Sequence, residues 1–358
     1  MKQLFERLLS TGNKSTTGRN VKMANRRRIP NFLSKFSLKS KLASRGKLSG
    51  DITFKIVAAL IACNVFVILG LMLFEIGGAS WLSIKTYGLE FLWGTTWQPV
   101  PPNPSISPSF GALPLIWGTL VTSTIALLLG VPISLGIALA LSEYAPKRFT
   151  YLVSFLVELL AAIPSVIYGL WGIFVLIPFL QNNIYPSLQS TLGFLPLFQG
   201  TIRGPSVLTG GVLLAIMIIP TISAISRDVF AAVPRSQREA ILALGATSWE
   251  TSKVVISYGR SGVIGAIILG LGRAVGETMA ITMVIGNSFN MFGSLFSPGY
   301  TLASIIANEF TEASSPPVYI SALIEVGLVL LILALIINAL ARLIIWRATK
   351  IAAGAEAI

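Results

Sequence analysis

The chain alternates between long apolar runs and shorter polar stretches, and six of the runs are long enough to cross a bilayer as helices. They cover about Ile56–Phe74, Leu115–Leu141, Tyr151–Leu180, Val207–Ile225, Ser261–Ile285 and Leu323–Ile345. A hydrocarbon layer about 30 Å thick needs roughly 20 apolar residues. The third run exceeds one crossing and is expected to tilt or break near Pro164. Pro164 and Pro220 both lack the N–H that a helix interior uses, so spans three and four are expected to bend there. Of the 358 residues, 54% are hydrophobic and 11% charged. That balance excludes an ordinary soluble domain and predicts an all-α membrane protein with six transmembrane helices.

The net charge of +13 changes the picture only once it is located. Residues 1–50 carry 13 Lys/Arg and a single acid, Glu6, while the rest of the chain is within one charge of neutral. The chain therefore divides into a basic N-terminal tail, 1–50, and a transmembrane domain, 51–358. The tail lacks the apolar stretch and small-residue cleavage site of a secretory signal. It is read as a cytoplasmic anchor near anionic lipid heads, in preference to a nucleic-acid arm, with little fixed structure before Ser49. Only Lys85 and Arg203 fall in outer loops, so the positive-inside rule places both termini in the cytoplasm. The chain has no histidine and one cysteine, Cys63. An intrachain disulfide, a zinc site and His-based catalysis are excluded, and no metal site is expected.

The first outer segment holds Trp81, Trp93 and Trp97, with Trp117 opening the next span. All four are expected at headgroup level, the common place for interfacial tryptophan. The longest inside loop, 227–260, has a different character. Ser236-Gln-Arg-Glu239 has the pattern of a capping box, Gly245 a left-handed helix stop, and Thr247-Ser-Trp-Glu250 a second box. Two short helices around a glycine corner would form a bracket. Its outward Ile241, Leu242 and Leu244 are too apolar for a solvated loop and suggest a partner.

Arg238-Glu-Ala-Ile-Leu-Ala-Leu-Gly-Ala246 resembles the EAA loop of ABC-importer permeases. Glu239, Ala240 and Gly245 match, Ile241 replaces the second alanine, and Ser257-Tyr258 stands where a proline often follows. Longer runs are similar to phosphate-importer permeases, and to the PstC type in particular. They are Val157 to Gly172, Gly272-Arg-Ala-Val-Gly-Glu-Thr-Met279 continuing to Asn287, and Ser297 to Glu309. The resemblance spans roughly 55–345 and implies a type I (MetI-like) permease fold in the inner membrane of a bacterium. It implies a coupling role for Arg238, Glu239, Ala240, Leu244, Gly245 and Ala246 against an ATPase. It further implies a second permease of PstA type, a homodimeric PstB-type ATPase that binds ATP and Mg, and a PstS-type phosphate-binding protein. No cofactor is expected in this chain.

Candidate pathway chemistry lies in the fifth span. If that span starts near Ser261, Arg273 lies roughly 18 Å in. A charge there costs at least about 2.5–3.5 kcal/mol, so it must face protein, water or substrate. Glu277 follows at i,i+4 and is expected to pair with Arg273 on one helix face while the pathway is empty. Thr278, Thr282 and Asn287 are candidate neutral donors. Gly272 and Gly276 provide a small-residue spacing for close packing against another helix, either in this chain or in a partner permease. Glu158, near the cytoplasmic interface, suits a structural or gating pair better than an anion contact.

Three function classes remain to be separated. An ATP-driven permease fits the bracket, and the 358 residues contain no Gly-x-x-x-x-Gly-Lys-Ser/Thr loop, so hydrolysis would lie in another chain. A gradient-driven transporter predicts internal repeats, and none stands out. An intramembrane enzyme needs a nucleophile–base pair or a metal cluster, for which the buried charges are the wrong types. Sulfate and phosphonate remain alternatives to phosphate, because a guanidinium serves any oxyanion.

Overall fold

A computed structural model describes the backbone over 32–101, 103, 105, 107–291, 293–313 and 316–355, with side-chain surroundings between 52 and 343. By contacts the chain falls into two units, 1–68 and 69–358. The first contains most of α1 (Phe32–Ala79). Its side chains from Ile52 to Ile68 are all exposed, as expected of an apolar-all-round helix meant for lipid. The helix starts at Phe32, so 32–48, which the sequence reading leaves unstructured, is helical here. Residues 1–31 of the basic tail lie outside the described residues.

The second unit is built from α2 (Trp81–Tyr87), α3 (Glu90–Trp93), α4 (Leu113–Tyr144), α5 (Lys147–Ala161), α6 (Ser165–Leu192) and α7 (Val207–Ala231). It continues with α8 (Arg235–Ala243), α9 (Ser248–Gly276), α10 (Met279–Val284), α11 (Leu302–Glu309) and α12 (Pro317–Ala355). Among the described residues, six helices are long and apolar enough to cross a membrane, as the sequence predicts.

Two boundaries move. The third crossing breaks near Pro164 as expected, into α5 and α6 with a turn at Ile163-Pro164 between them, and α6 runs on past Leu180 to Leu192. Pro164 has no N–H and disfavours helical backbone at the residue before it, so the chain turns extended there, with ψ 139° at Pro164. Pro220, by contrast, lies inside an unbroken α7. The fifth crossing starts earlier than Ser261. Thr247 and Glu250 form the expected reciprocal cap, and nothing interrupts the helix from there to Gly276. The second short helix of the bracket is therefore the first turn of a long rod.

Helix α7 is the axle of this unit, with 67% of its apolar window buried against 33% or less in the others. Glycines let its neighbours approach. A Cβ at Gly130 of α4 would sit 2.9 Å from Ile218, and one at Gly270 of α9 would sit 2.6 Å from Ile222. Gly262 of α9 faces Val229 in the same way, so α7 and α9 run antiparallel with 222 level with 270.

At the end of the unit remote from α8, a folded cap replaces simple loops. Strands β1 (Trp97–Gln98) and β2 (Ser109–Phe110) pair antiparallel over a cluster that includes Phe91, Leu115, Tyr300, Ile305 and Tyr319. Trp81 and Trp93 are exposed, as interfacial rings should be. Trp97 is not: it is 6% exposed, edge-on to Phe110 at 4.9 Å. Its Nε1–H donates to Glu309 Oε2 at 2.8 Å, and the Tyr319 hydroxyl donates to the same oxygen at 2.8 Å. The polar edge of the ring has a protein partner, which removes the need for headgroup water.

Burial raises the Glu309 carboxyl above its ordinary value, against a smaller lowering by these two hydrogen bonds. A carboxyl with a raised folded pKa binds its proton more tightly in the native state, so stability falls as pH rises above about 4.5. Glu309→Gln should flatten that slope. Thermal midpoints of the detergent-solubilised protein between pH 4 and 8 should converge at the acid end and favour the variant at the alkaline end.

Candidate functional site

Arg273 sits near the end of α9, and its Nη1–H donates to Thr221 Oγ1 of α7 at 3.3 Å. Thr221 follows Val207 by 14 residues and precedes Ala231 by ten. At about 1.5 Å per residue it lies roughly 21 Å from one end of α7 and 15 Å from the other. The guanidinium is therefore level with the middle of the most buried membrane helix, at the depth the sequence reading gives. Arg273 is half-buried, and among the described residues it makes no ion pair.

The expected Arg273–Glu277 pair does not form. An i,i+4 contact needs a continuous helix between the two, and α9 stops at Gly276, with Glu277 extended at ψ 128°. Glu277 turns instead toward α10, where Oε1 accepts from the Ala280 N–H at 3.4 Å. A carboxylate suits that helix start electrostatically. The three candidate neutral donors are also engaged locally. Thr278 Oγ1 donates to Gly276 O at 3.2 Å, Thr282 Oγ1 to Thr278 O at 2.7 Å, and Asn287 Nδ2 to Thr282 O at 3.1 Å. Asn287 has φ 48° after Gly286 at φ 92°, so its side chain closes the end of α10. These residues shape the interruption; their donors are not turned toward Arg273.

Both interruptions meet here. Gly169 of α6 lies against α10, where an added Cβ would be 3.1 Å from Ala280 Cα. Tyr168 next to it donates its hydroxyl to Leu160 O at the end of α5 at 2.9 Å. Thr221 is the partner of Arg273 that sequence reasoning missed. Pro220 marked the right turn of α7 without marking the threonine.

The two glycine pairs on α9 have different roles. Ala266 and Gly270 are buried against α7. Gly272 and Gly276 are exposed, with nothing within 4 Å of an added Cβ, so among the described residues they pack against no helix. Glu158 pairs with Arg227 at 3.4 Å, near the α8 end of α7, and Arg227 also holds Asp228 at 2.8 Å. That is the structural or gating pair expected of Glu158, with a partner the sequence did not indicate.

Of the expected bracket, the short helix α8 and the glycine corner are present, while the second arm is the first turn of α9 and one cap is changed. Helix α8 starts behind Pro234, whose preset φ begins the first turn, so Ser236 lies inside the helix and its expected box is not made. Gly245 at φ 84° ends it as predicted. Glu239, Ala240, Leu242, Leu244 and Gly245 are exposed, Leu244 at 88%, while Ile241 and Ala246 are half-buried. Trp249, 59% exposed at the start of α9, extends the apolar face. Arg238 points the other way, into the chain, onto Glu143.

A family model described as binding-protein-dependent transport system inner membrane component matches residues 130–350. The chain belongs to that family. Among its relatives, phosphate transport system permease protein PstC of Pasteurella multocida is 46% identical over 84% of this chain and 93% of its own length. The PstC of Haemophilus influenzae is 47% identical over 82% and 92%. A probable PstC of Methanocaldococcus jannaschii is 38% identical over 80% and 90%. A chain of the inward-facing MetNI methionine ABC transporter aligns at 19% identity with a TM-score of 0.48. As a binding-protein-dependent transport component the chain is a multi-pass membrane transport permease and not an enzyme.

The opposed packing of the α9 glycines can be tested on the isolated chain. Gly270→Leu should lower the thermal midpoint by a few degrees, in line with an overpacking cost of about 1–3 kcal/mol. Gly272→Leu should stay within about one degree of the parent.

Proposed function

We propose that the chain is the membrane-spanning permease subunit of an ATP-driven importer of inorganic phosphate, lining half of the translocation pathway. The observation that carries this reading is the Arg273 guanidinium at mid-membrane, without a counter-charge among the described residues. Five fixed donors and a permanent charge suit a phosphate oxyanion, and a single weak protein contact leaves them available. Among the described residues no cage of donors surrounds the arginine, which favours transit over trapping. The phosphate identity rests on the PstC relatives, since sulfate or phosphonate would satisfy the same guanidinium.

The partners follow from the same reading. The exposed face Glu239, Ala240, Leu242, Leu244 and Trp249 is the docking surface for a separate PstB-type ATPase, which holds ATP and Mg. The exposed glycines Gly272 and Gly276 face a second permease of PstA type. A PstS-type binding protein delivers phosphate at the β1–β2 cap. The distribution of basic segments supports a cytoplasmic position for α8 and both termini at the inner membrane.

The test is uptake by the assembled transporter in vesicles. Import of labelled phosphate should require ATP and stop with vanadate. Arg273→Lys keeps the charge but loses the bidentate fork and should lower the initial rate about tenfold, about 1.4 kcal/mol, at unchanged protein level. Import driven by an ion gradient without ATP would refute the class. A normal rate in Arg273→Lys would refute direct contact.

A further inference from the structure

The Arg238 side chain has more partners than any other arginine in the described residues, and none is on the docking face. Its Nε–H and Nη2–H donate to the two carboxylate oxygens of Glu143 at 3.0 and 2.8 Å, a bidentate fork. Its Nη1–H donates to Val233 O at 2.5 Å, and Nη2–H donates also to Phe230 O at 2.7 Å. Glu143 belongs to the last turn of α4, where the helix widens to π geometry over Ala140–Tyr144. Phe230 O is in the last turn of α7, where it also accepts from the Val233 N–H at 3.2 Å, and Val233 lies two residues past the end of that helix. One planar group on α8 thus grips the ends of the two helices that form the core of the membrane unit. The pair is shielded, with side-chain exposures of 18% and 11%, so solvent screens it less than a surface pair.

The chain connections around this grip are weak by comparison. Helix α8 joins α7 through Val233-Pro234 and joins α9 through the left-handed Gly245. A cavity of about 250 Å³, lined by Glu143, Tyr144, Arg238, Leu242, Ser248 and Thr251, separates α8 from α4 and the first turn of α9. No residue of α8 among Arg235–Ala243 is fully buried, and the guanidinium supplies its bidentate contact to α4. Helix α9 then runs unbroken from Thr247 to Gly276 and carries Arg273 near its far end.

We propose that Arg238 is a positioning residue for transport. Its guanidinium clamps the docking helix α8 to the ends of α4 and α7, so that displacement of the bracket moves those helices with α9 as one body. Without the clamp, a push on α8 is absorbed by the cavity and by the two backbone joints. The proposal rests on the reading of the chain as an ATP-coupled permease. It assigns to Arg238 a role distinct from touching the ATPase.

The test compares phosphate imported with ATP hydrolysed, in vesicles containing the complete transporter. Arg238→Ala and Glu143→Gln should each lower the ratio tenfold or more while the ATPase remains bound and hydrolyses ATP. Arg238→Lys keeps one charged contact but not the fork and should recover part of the ratio. The proposal is overturned if the ratio stays at the parent value in Arg238→Ala and Glu143→Gln. It is equally overturned if import and hydrolysis fall together in proportion to assembled complex, since that marks a purely structural role. Should Arg238→Ala not assemble, Glu143→Gln and Arg238→Lys decide by the same ratio. A parent transporter that imports phosphate without ATP would instead sink the functional reading itself.

Discussion

A guanidinium cannot shed its charge in a protein, and this one is held level with the middle of a membrane helix. That constraint orders the rest of the structure. Arg273 has to face something other than acyl chains, and among the described residues it makes one protein hydrogen bond, a 3.3 Å contact to Thr221. The helix that carries it ends three residues later, at Gly276, and the neighbouring crossing is broken at Pro164. Irregular backbone at membrane depth is tolerated where it is covered by protein or lines an aqueous cavity. Two interruptions packed beside one arginine are therefore parts of the same feature.

The opposite ends of the unit are built to different requirements. Near α8, polar contacts dominate: the Arg238–Glu143 fork, the Arg227–Glu158 pair, and the Tyr144–Ser252 hydroxyl contact at 2.9 Å. Such contacts have discrete alternatives and suit an end that moves. At the far end, aromatic packing around Trp97, Phe110 and Tyr319 encloses the carboxylate of Glu309. Between them α9 spans the distance from the docking bracket to Arg273 without a break. A displacement applied at Thr247 has a stiff route to the arginine.

Hydrophobic patterning made the six crossings legible, because length and apolarity alone decide whether a segment spans. It also set the depth of Arg273, since a helix rises uniformly. Pro164 marked the break in the third crossing, but nothing in the pattern marked the stop of α9 at Gly276. The Arg273–Glu277 pairing assumed that spacing implies a shared face, and the backbone turn after Gly276 removed the premise. The hydroxyls of Thr278 and Thr282 and the amide of Asn287 have the chemistry of anion donors, yet broken backbone nearby engages them first. Ser236 had the composition of a helix cap, but Pro234 two residues earlier began the helix. Trp97 shows the same limit, since an interfacial ring and a buried ring with one partner look alike until the partner, Glu309, is placed by the fold. At Arg238 the sequence marked the motif but not the direction of the side chain, which depends on Glu143, far away in the chain.

The most direct measurement asks whether water and phosphate reach the helix interruption beside Arg273. Thr278→Cys, in a Cys63→Ser background, places a single thiol there. In the assembled transporter, a hydrophilic thiosulfonate reagent that does not cross membranes should label this thiol, and inorganic phosphate should slow the labelling. Labelling only by a lipid-soluble maleimide, with no effect of phosphate, would place the arginine outside any aqueous passage and contradict the account.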